Sequence, residues 1–175
     1  MAVHLIIDGY NLIRQSPQLR KHDQEALEKG REMLLKRLSA YKRVKHHFIT
    51  VVFDGWIDGH FSEGHEKIRG IEVVFSRRGE KADEVIKRLA SQQKGKALVV
   101  TSDRDLGSSC NRHGCEVISS PEFEAKMEFS QYIDLKGNME KEDYESFPSK
   151  GTKKKGPSRR LPKTKRHRQK AIEKL

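Results

Sequence analysis

The stretch VHLIIDGYN at residues 3–11 decides the class of fold. Its first five residues are apolar except for His4, and the Asp8-Gly9 pair that follows predicts a buried strand ending in a turn. The run FITVVFDG at residues 48–55 has the same form. Strands that are apolar on both faces are typical of a parallel sheet that helices cover on each side.

Strand and helix patterns alternate along the rest of the chain. Three more short apolar strands are predicted, at residues 71–75, 97–101 and 116–118. Four helices are predicted, at residues 24–45 with Asp23 as the cap, 82–93, 103–113 and from Pro121 to about Tyr132. Residues 56–69 are rich in glycine, histidine and charge, and are predicted to form a loop. This alternation predicts an α/β fold with a parallel sheet flanked by helices.

The positive charge of the chain is confined to its end. The sequence has 36 Lys and Arg against 25 Asp and Glu, a net charge of +11, but residues 150–175 alone hold 12 basic residues and one acidic residue. Residues 1–149 are therefore formally neutral. We expect a neutral domain at residues 1–136 and a basic, mostly disordered tail at residues 137–175, in which residues 165–175 could form a short helix on a partner.

Composition also limits where the protein acts. No apolar run reaches the roughly 20 residues that span a bilayer, and the chain starts without a basic leader, so we expect no membrane partner. Cys110 and Cys115 then predict reduced, buried thiols in a cytoplasmic protein. The first strand is followed by no Gly-x-Gly-x-x-Gly, and the chain has no Gly-Lys-Ser/Thr loop, which argues against a nucleotide cofactor.

Acidic side chains occur where the predicted strands end. Asp8, Asp54 and Asp103 come directly after a strand or within two residues of its end. Asp83 opens the helix after the third strand, and Asp105 lies two residues further along than Asp103. Because the carboxyl ends of parallel strands share one edge, where ligands bind, we expect four or five carboxylates to converge there.

Crowded carboxylates call for a cation. They repel one another and raise each other's pKa, and oxygen ligands in this number suit Mg²⁺ or Mn²⁺, which activate water for phosphodiester hydrolysis. Aspartate is also a favoured helix cap and turn residue, so Asp54, Asp83 and Asp103 each have a purely structural interpretation. Asn11, three residues after Asp8, would orient a carboxylate or a water, contact a phosphate, or cap the next segment.

Basic and aromatic residues near the same edge are candidate RNA contacts. The basic candidates are Arg77, Arg78, Lys81 and Arg104 in the domain, and Lys153, Lys154, Lys155, Arg159 and Arg160 in the tail. Such charges bind phosphates without regard to sequence, although solvated loop charges and a solubilising extension are the alternatives. Tyr10 and Trp56 are candidates for stacking an unpaired base, or for packing in the core.

Four short motifs occur in one order along the chain. They are IIDGYN at residues 6–11, VVFDG at 51–55, KADEVI at 81–86 and VVTSD at 99–103. Together they resemble the NYN domains, a branch of the PIN-like nuclease superfamily, and specifically the YacP-like group. The resemblance extends from about Val3 to Leu135 and does not include the basic tail.

This resemblance implies a PIN-like, Rossmann-like sheet and a metal-dependent ribonuclease. By this resemblance, Asp8, Asp83 and Asp103 correspond to the acids that hold the metal in the family, and Asn11 corresponds to the family's asparagine after the first strand. Asp54 corresponds to a more variable acid, and Asp105 to a fourth acid. YacP-like proteins are similar to endoribonucleases that act on mRNA in association with the ribosome.

The leading hypothesis is a Mg²⁺- or Mn²⁺-dependent endoribonuclease with Asp8, Asn11, Asp83 and Asp103 as catalytic residues. It would leave 5′-phosphate and 3′-hydroxyl ends on RNA, single-stranded rather than duplex, such as mRNA or ribosomal RNA. Two alternatives stay open: a non-catalytic RNA- or ribosome-binding adaptor with an unused acidic pocket, and a DNA-directed nuclease.

Overall fold

The computed structural model describes residues 2–55, 64–93 and 95–143 together with Ile172 and Leu175. Within residues 2–143 it describes side chains only as far as Ile133. The strands are β1 (His4–Asp8), β2 (Phe48–Phe53), β3 (Gly64–Ile68), β4 (Ile71–Phe75), β5 (Ala97–Val100) and β6 (Glu116–Ile118). The helices are α1 (Gly9–Gln15), α2 (Pro17–Glu25), α3 (Leu27–Lys45), α4 (Ala82–Gln93), α5 (Arg104–Arg112) and α6 (Ser120–Asp143).

The six strands form one sheet in the order β3-β4-β2-β1-β5-β6. All neighbours are parallel except β3 and β4, and in β1 Ile6 lies opposite both Thr50 and Val99. The predicted α/β class, with a mainly parallel, Rossmann-like sheet flanked by helices, is confirmed. The prediction of a loop throughout residues 56–69 was wrong for β3, an edge strand whose middle three residues are exposed and therefore lack an apolar pattern.

Both faces of the sheet are buried, as the apolar strands predicted. Successive side chains of a strand point to opposite faces. Leu5 and Ile7 of β1 therefore pack with α1, α2, α3 and α6 in one core, and Ile6 packs with α4 and α5 in the other. β1 lies in the middle of the sheet, so the residue that ends it occupies the centre of the carboxyl edge.

The helices between β1 and β2 differ from the prediction. One helix from residue 24 with Asp23 as its cap is wrong, because Asp23 lies inside α2 and α3 begins at Leu27. The Ser16 side chain accepts a hydrogen bond from the Leu19 N–H (3.2 Å), and the fixed backbone angle of proline suits the first helical position that follows. This Ser-Pro pair starts a separate helix.

The two Asp-Gly pairs are packing features. A Cβ atom on Gly9 would lie 2.3 Å from a ring carbon of Phe53, and one on Gly55 would lie 1.8 Å from the carbonyl oxygen of Ser76. Neither glycine has the left-handed backbone that a glycine turn requires. Glycine is needed here because neighbouring chain comes too close for a side chain.

The end of the chain also bears on the predicted tail. Helix α6 continues to Asp143, past the predicted domain boundary at residues 136 and 137. The Leu175 side chain is buried in the core, and the Tyr41 hydroxyl donates a hydrogen bond of 2.8 Å to its carbonyl oxygen. Disorder and a short helix in the basic segment remain predictions, since residues 144–171 lie outside the described residues. None of the helices in the described part of the chain has the length and apolarity of a membrane crossing.

Candidate active site

Acidic residues meet at the carboxyl edge of the sheet. Asp8 ends β1, Asp54 follows β2, and Asp103 precedes α5 just beyond β5. β1 connects to β2 on one side, and the chain later crosses to β5 on the other side, so the crevice between β1 and β5 is the switch point where open α/β sheets bind ligands. Asp83 lies in the first turn of α4, which starts at the same edge.

Asp8 is the most buried of these acids, with 8% of its surface exposed. One carboxylate oxygen accepts the Asn11 N–H (3.1 Å) and the other accepts the Thr101 hydroxyl (3.3 Å). Burial, the largest cause, and the negative charges of Asp83 and Asp54 together raise the pKa of Asp8 to about 6, although the two hydrogen bonds lower it. The carboxyl group is therefore held where its charged form is costly.

Asp83 shares this electrostatic field. Its partly buried position raises its pKa, the charges of Asp103 and Asp54 add to the rise, and Lys87 and Lys81 oppose it. Asp83 thus connects the acids at the ends of three strands, since its charge also acts on Asp8. The structure brings four of the five predicted acids within electrostatic reach of one another.

Asp54 and Asp103, like Asp8 at the start of α1, are also helix caps. Asp103 accepts the N–H groups of Asp105 (2.8 Å) and Leu106 (2.9 Å) with Oδ1, and so caps α5. Asp54 accepts the Ala82 N–H (2.6 Å) with Oδ1 at the start of α4. The structural interpretation therefore holds for both, yet the caps occupy one oxygen of each carboxylate and fix its direction. The other oxygen accepts no hydrogen bond from the described residues.

Asp105 differs from the other four acids. Both Asp103 and Asp105 are exposed, but the charge of Asp105, in the first turn of α5, is not among those that act on Asp8 or Asp83. Among the described residues, no three His, Cys, Asp or Glu side chains lie close enough to hold a metal ion by themselves. The donors at this edge are all oxygens, which fits Mg²⁺ or Mn²⁺ held by few carboxylates and completed by water and phosphate.

Asn11 is fixed by a network that the sequence did not reveal in full. Its Oδ1 accepts the Ser102 N–H (2.9 Å) and the Ser120 hydroxyl (2.8 Å), while the Ser120 N–H donates to the Ser102 hydroxyl (3.1 Å). Ser120 is fully buried at the start of α6 and was not predicted as a site residue. Its signal was its place directly after β6, where a polar residue reaches the same edge.

The basic candidates of the domain surround the acids. Arg77, Arg78, Lys81 and Arg104 are all exposed. Arg77 lies 4.0 Å from Glu80, and the charge of Lys81 reaches Asp83. Lys153, Lys154, Lys155, Arg159 and Arg160 lie outside the described residues, so phosphate binding by the tail stays a prediction.

Of the two predicted stacking residues, Tyr10 does not fit. Its side chain is 3% exposed, and its ring packs edge-on against Phe53 with centroids 5.1 Å apart, so no base can reach its face. Trp56 lies outside the described residues. The predicted buried thiols are confirmed, since Cys110 and Cys115 are both free and buried and burial raises the pKa of Cys110 to about 11.

Comparisons with known proteins agree with this architecture. A relative, the uncharacterized protein YacP of Bacillus subtilis strain 168, is 34% identical over 105 residues, which cover 57% of this chain and 59% of that protein. The chain is similar to two crystal structures of Rae1 (YacP) from Bacillus subtilis. A mutant form gives 24% identity and a TM-score of 0.68 over 83% of this chain and 87% of that chain. The other structure gives 26% identity and a TM-score of 0.66 over 82% of this chain and 83% of that chain.

The family assignment rests on a match to nearly the whole sequence. The YacP-like NYN domain matches residues 5–173, which includes the four motifs and most of the basic segment. The predicted resemblance is confirmed and extends beyond its predicted end at Leu135. The chain belongs to the YacP-like NYN domain family.

Proposed function

We propose that the protein is a metal-dependent endoribonuclease that hydrolyses RNA phosphodiester bonds. The observation that carries this proposal is Asp8, a buried carboxylate with a raised pKa beside further acids at the ligand-binding edge of the sheet. The described residues place no cation against it. Perturbed carboxylates of this kind concentrate at functional sites, and NYN domains are typically nuclease-like.

The acids of the crevice are the candidate metal ligands. Asp8, Asp83 and Asp103 would hold Mg²⁺ or Mn²⁺, with Asp54 or Asp105 as a further ligand. A bound ion of this type supplies a water activated for attack on phosphorus and stabilises charge on the leaving oxygen. The helix caps at Asp54 and Asp103 keep these carboxylates directed, so little reorganisation is needed when substrate enters.

The other residues of the edge would position the RNA. The Asn11 amide has its oxygen occupied by two donors, so its Nδ2 group is left to donate to a phosphate oxygen. Arg104, Lys81 and Arg77 are exposed around the crevice and suit phosphate contacts. The basic segment would raise the affinity for RNA without sequence preference. The substrate we propose is a cytoplasmic, ribosome-associated mRNA or ribosomal RNA, as the resemblance to YacP-like proteins implies.

The proposal is tested with single-stranded RNA, duplex RNA and single-stranded DNA, each incubated with Mg²⁺, Mn²⁺ or chelator. We expect cleavage of single-stranded RNA that requires the ion and leaves 5′-phosphate ends. Asp8→Asn and Asp103→Asn should each lower kcat at least roughly 100-fold, because each removes a charge that the reaction needs. Glu28→Gln, which changes an exposed acid of α3, should cleave like the wild type.

Calorimetric titration with Mn²⁺ distinguishes the nuclease from the non-catalytic adaptor. The nuclease should bind the ion, and Asp8→Asn should weaken that binding, whereas an adaptor with an unused pocket should bind RNA equally with and without chelator. Cleavage that survives both aspartate substitutions would refute the proposed site. If the protein cleaved DNA but not RNA, its substrate would be DNA.

A further inference from the structure

A second cavity adjoins Asp103 on the side of β6. Its volume is about 470 Å³, which lies in the range of small-molecule sites and accommodates a single nucleoside. Thr101 and Asp103 form part of its wall, and Thr101 is the residue whose hydroxyl contacts Asp8. The cavity is therefore continuous with the acidic crevice.

Most of the other residues of the wall are polar. They include Ser102, Arg104, Ser108, Asn111 and Ser119, from the start of α5, its outer face and the β6–α6 connection. The side chains of Arg104, Ser108 and Asn111 make no hydrogen bond or ion pair with the described residues. Three exposed hydrogen-bonding groups thus border one cavity without a partner among the described residues.

A larger cavity, of about 630 Å³, shows the opposite arrangement. It lies at the other end of the sheet, where the His4 ring hydrogen-bonds the Thr50 hydroxyl (2.8 Å) and that hydroxyl donates to Glu72 (2.8 Å). Glu72 also lies 3.5 Å from His65. Four of its polar side chains bond to one another, and the cavity lies at the opposite end of the sheet from the acids, so the smaller cavity is the better candidate for a ligand that the acids act on.

Gly107 supports this choice. Glycine inside a helix costs about 1 kcal/mol relative to alanine, so its place in the middle of α5 needs a reason. It lines the cavity opposite Val117, and a Cβ atom there would lie 3.4 Å from the Val117 side chain. The missing side chain keeps the wall of the cavity open.

We propose that this cavity is a nucleotide subsite that binds the RNA base next to the scissile phosphate and sets a nucleotide preference. The inference rests on the proposed ribonuclease function. None of the described residues that line the cavity is aromatic, so the base would be read through hydrogen bonds from Asn111 and Ser108, with the Arg104 guanidinium on its face or on the neighbouring phosphate. Unpaired RNA bases can turn out of the strand into such a site, whereas paired bases cannot.

The test first measures binding apart from cleavage. The ¹⁵N-labelled protein is titrated in chelator with each of the four ribonucleoside 5′-monophosphates. We expect saturable shifts at the amides of Gly107 and Ser108, with affinities for the four bases that differ at least 5-fold. Asn111→Leu should abolish these shifts, and Arg112→Leu, the same change at the next exposed position of α5, should retain them.

Cleavage then shows whether the subsite serves the reaction. On RNAs that vary only the nucleotide beside the cleaved bond, Asn111→Leu should raise KM at least 5-fold and flatten the preference relative to Arg112→Leu. Cleavage of RNA with no shift in the cavity, and with identical behaviour of the two variants, would overturn the subsite while the ribonuclease stands. Base-selective shifts without any cleavage would uphold a nucleotide site and refute the ribonuclease.

Discussion

Asp8 and Glu124 are equally buried carboxylates, each 8% exposed, in very different surroundings. Glu124 of α6 lies 2.8 Å from the Arg37 guanidinium of α3 and accepts a short hydrogen bond from the Ser16 hydroxyl. Asp8 accepts one backbone N–H and one hydroxyl, and the nearby charges that act on it are those of other acids. The negative charge of Glu124 is therefore compensated by a cation of the fold, whereas the described residues supply no such cation to Asp8.

This difference separates a structural carboxylate from a functional one. A buried carboxylate that is paired with a cation links two helices, and removal of either group leaves the charge of the other uncompensated. A buried charge beside like charges destabilises the protein until a ligand supplies the opposite charge. Removal of each group should therefore change stability in opposite directions.

The largest effect is expected on the Glu124 side. Arg37→Met keeps an unbranched apolar stem but leaves Glu124 buried with only the Ser16 hydroxyl, and such a loss costs about 3 kcal/mol. Urea denaturation should show this decrease in the free energy of unfolding. Asp8→Asn in the same assay, in chelator at pH 7.5, should show no loss or a gain.

The control for that comparison is Arg37→Met combined with Glu124→Leu, which removes both charges and should recover most of the lost stability. If Arg37→Met costs no more than Asp8→Asn, the two carboxylates do not differ in the way that their contacts indicate.

An effect of similar size is expected from pH on the Asp8 side. The pKa of Asp8 is about 6 in the folded protein and 3.8 without the fold, so the folded state binds the proton more tightly. Its contribution to stability is therefore fully present below pH 4 and is lost as the pH rises through 6, by about 3 kcal/mol. Asp83, whose pKa is also raised, acts in the same direction.

The measurement compares wild type with Asp8→Asn in chelator from pH 4 to pH 7.5, so that other titrating groups cancel. The variant should gain on the wild type as the pH rises, and the helix cap should contribute little to the difference because asparagine caps a helix about as well as aspartate. A difference that does not change with pH would mean that Asp8 titrates like an exposed aspartate.

The sequence predicted most of the sheet because its interior strands are apolar on both faces. It did not predict β3, since charged, exposed residues from His65 to Lys67 carry no hydrophobic signal at the edge of a sheet. It also predicted neither α1 nor α2. Pattern alone did not show that the Ser16-Pro17 pair caps a new helix there.

The candidate site was predictable to a similar extent. The positions of Asp8, Asp54 and Asp103 followed from strand ends and one shared edge. Their hydrogen bonds did not, because a cap and a metal ligand require the same residue type at the same place. Tyr10 was misjudged for a related reason: a residue after a strand end lies at the edge, but its ring can still turn into the core.

The smallest effect is expected at Ser120, where a hydroxyl of the candidate site can be compared with a purely structural hydroxyl. Its buried hydroxyl donates to Asn11 (2.8 Å), whereas the equally buried hydroxyl of Ser130, also in α6, donates to the Met127 carbonyl (2.9 Å). Replacing either serine by alanine removes one buried hydrogen bond and should cost about 1 kcal/mol of stability. Only Ser120→Ala loosens the side chain that would meet the phosphate, so it alone should lower kcat, roughly 10-fold, with KM little changed. Equal kcat values for the two variants in a single-turnover cleavage assay would make Ser120 a purely structural residue and leave the Asn11 amide held by Ser102 alone.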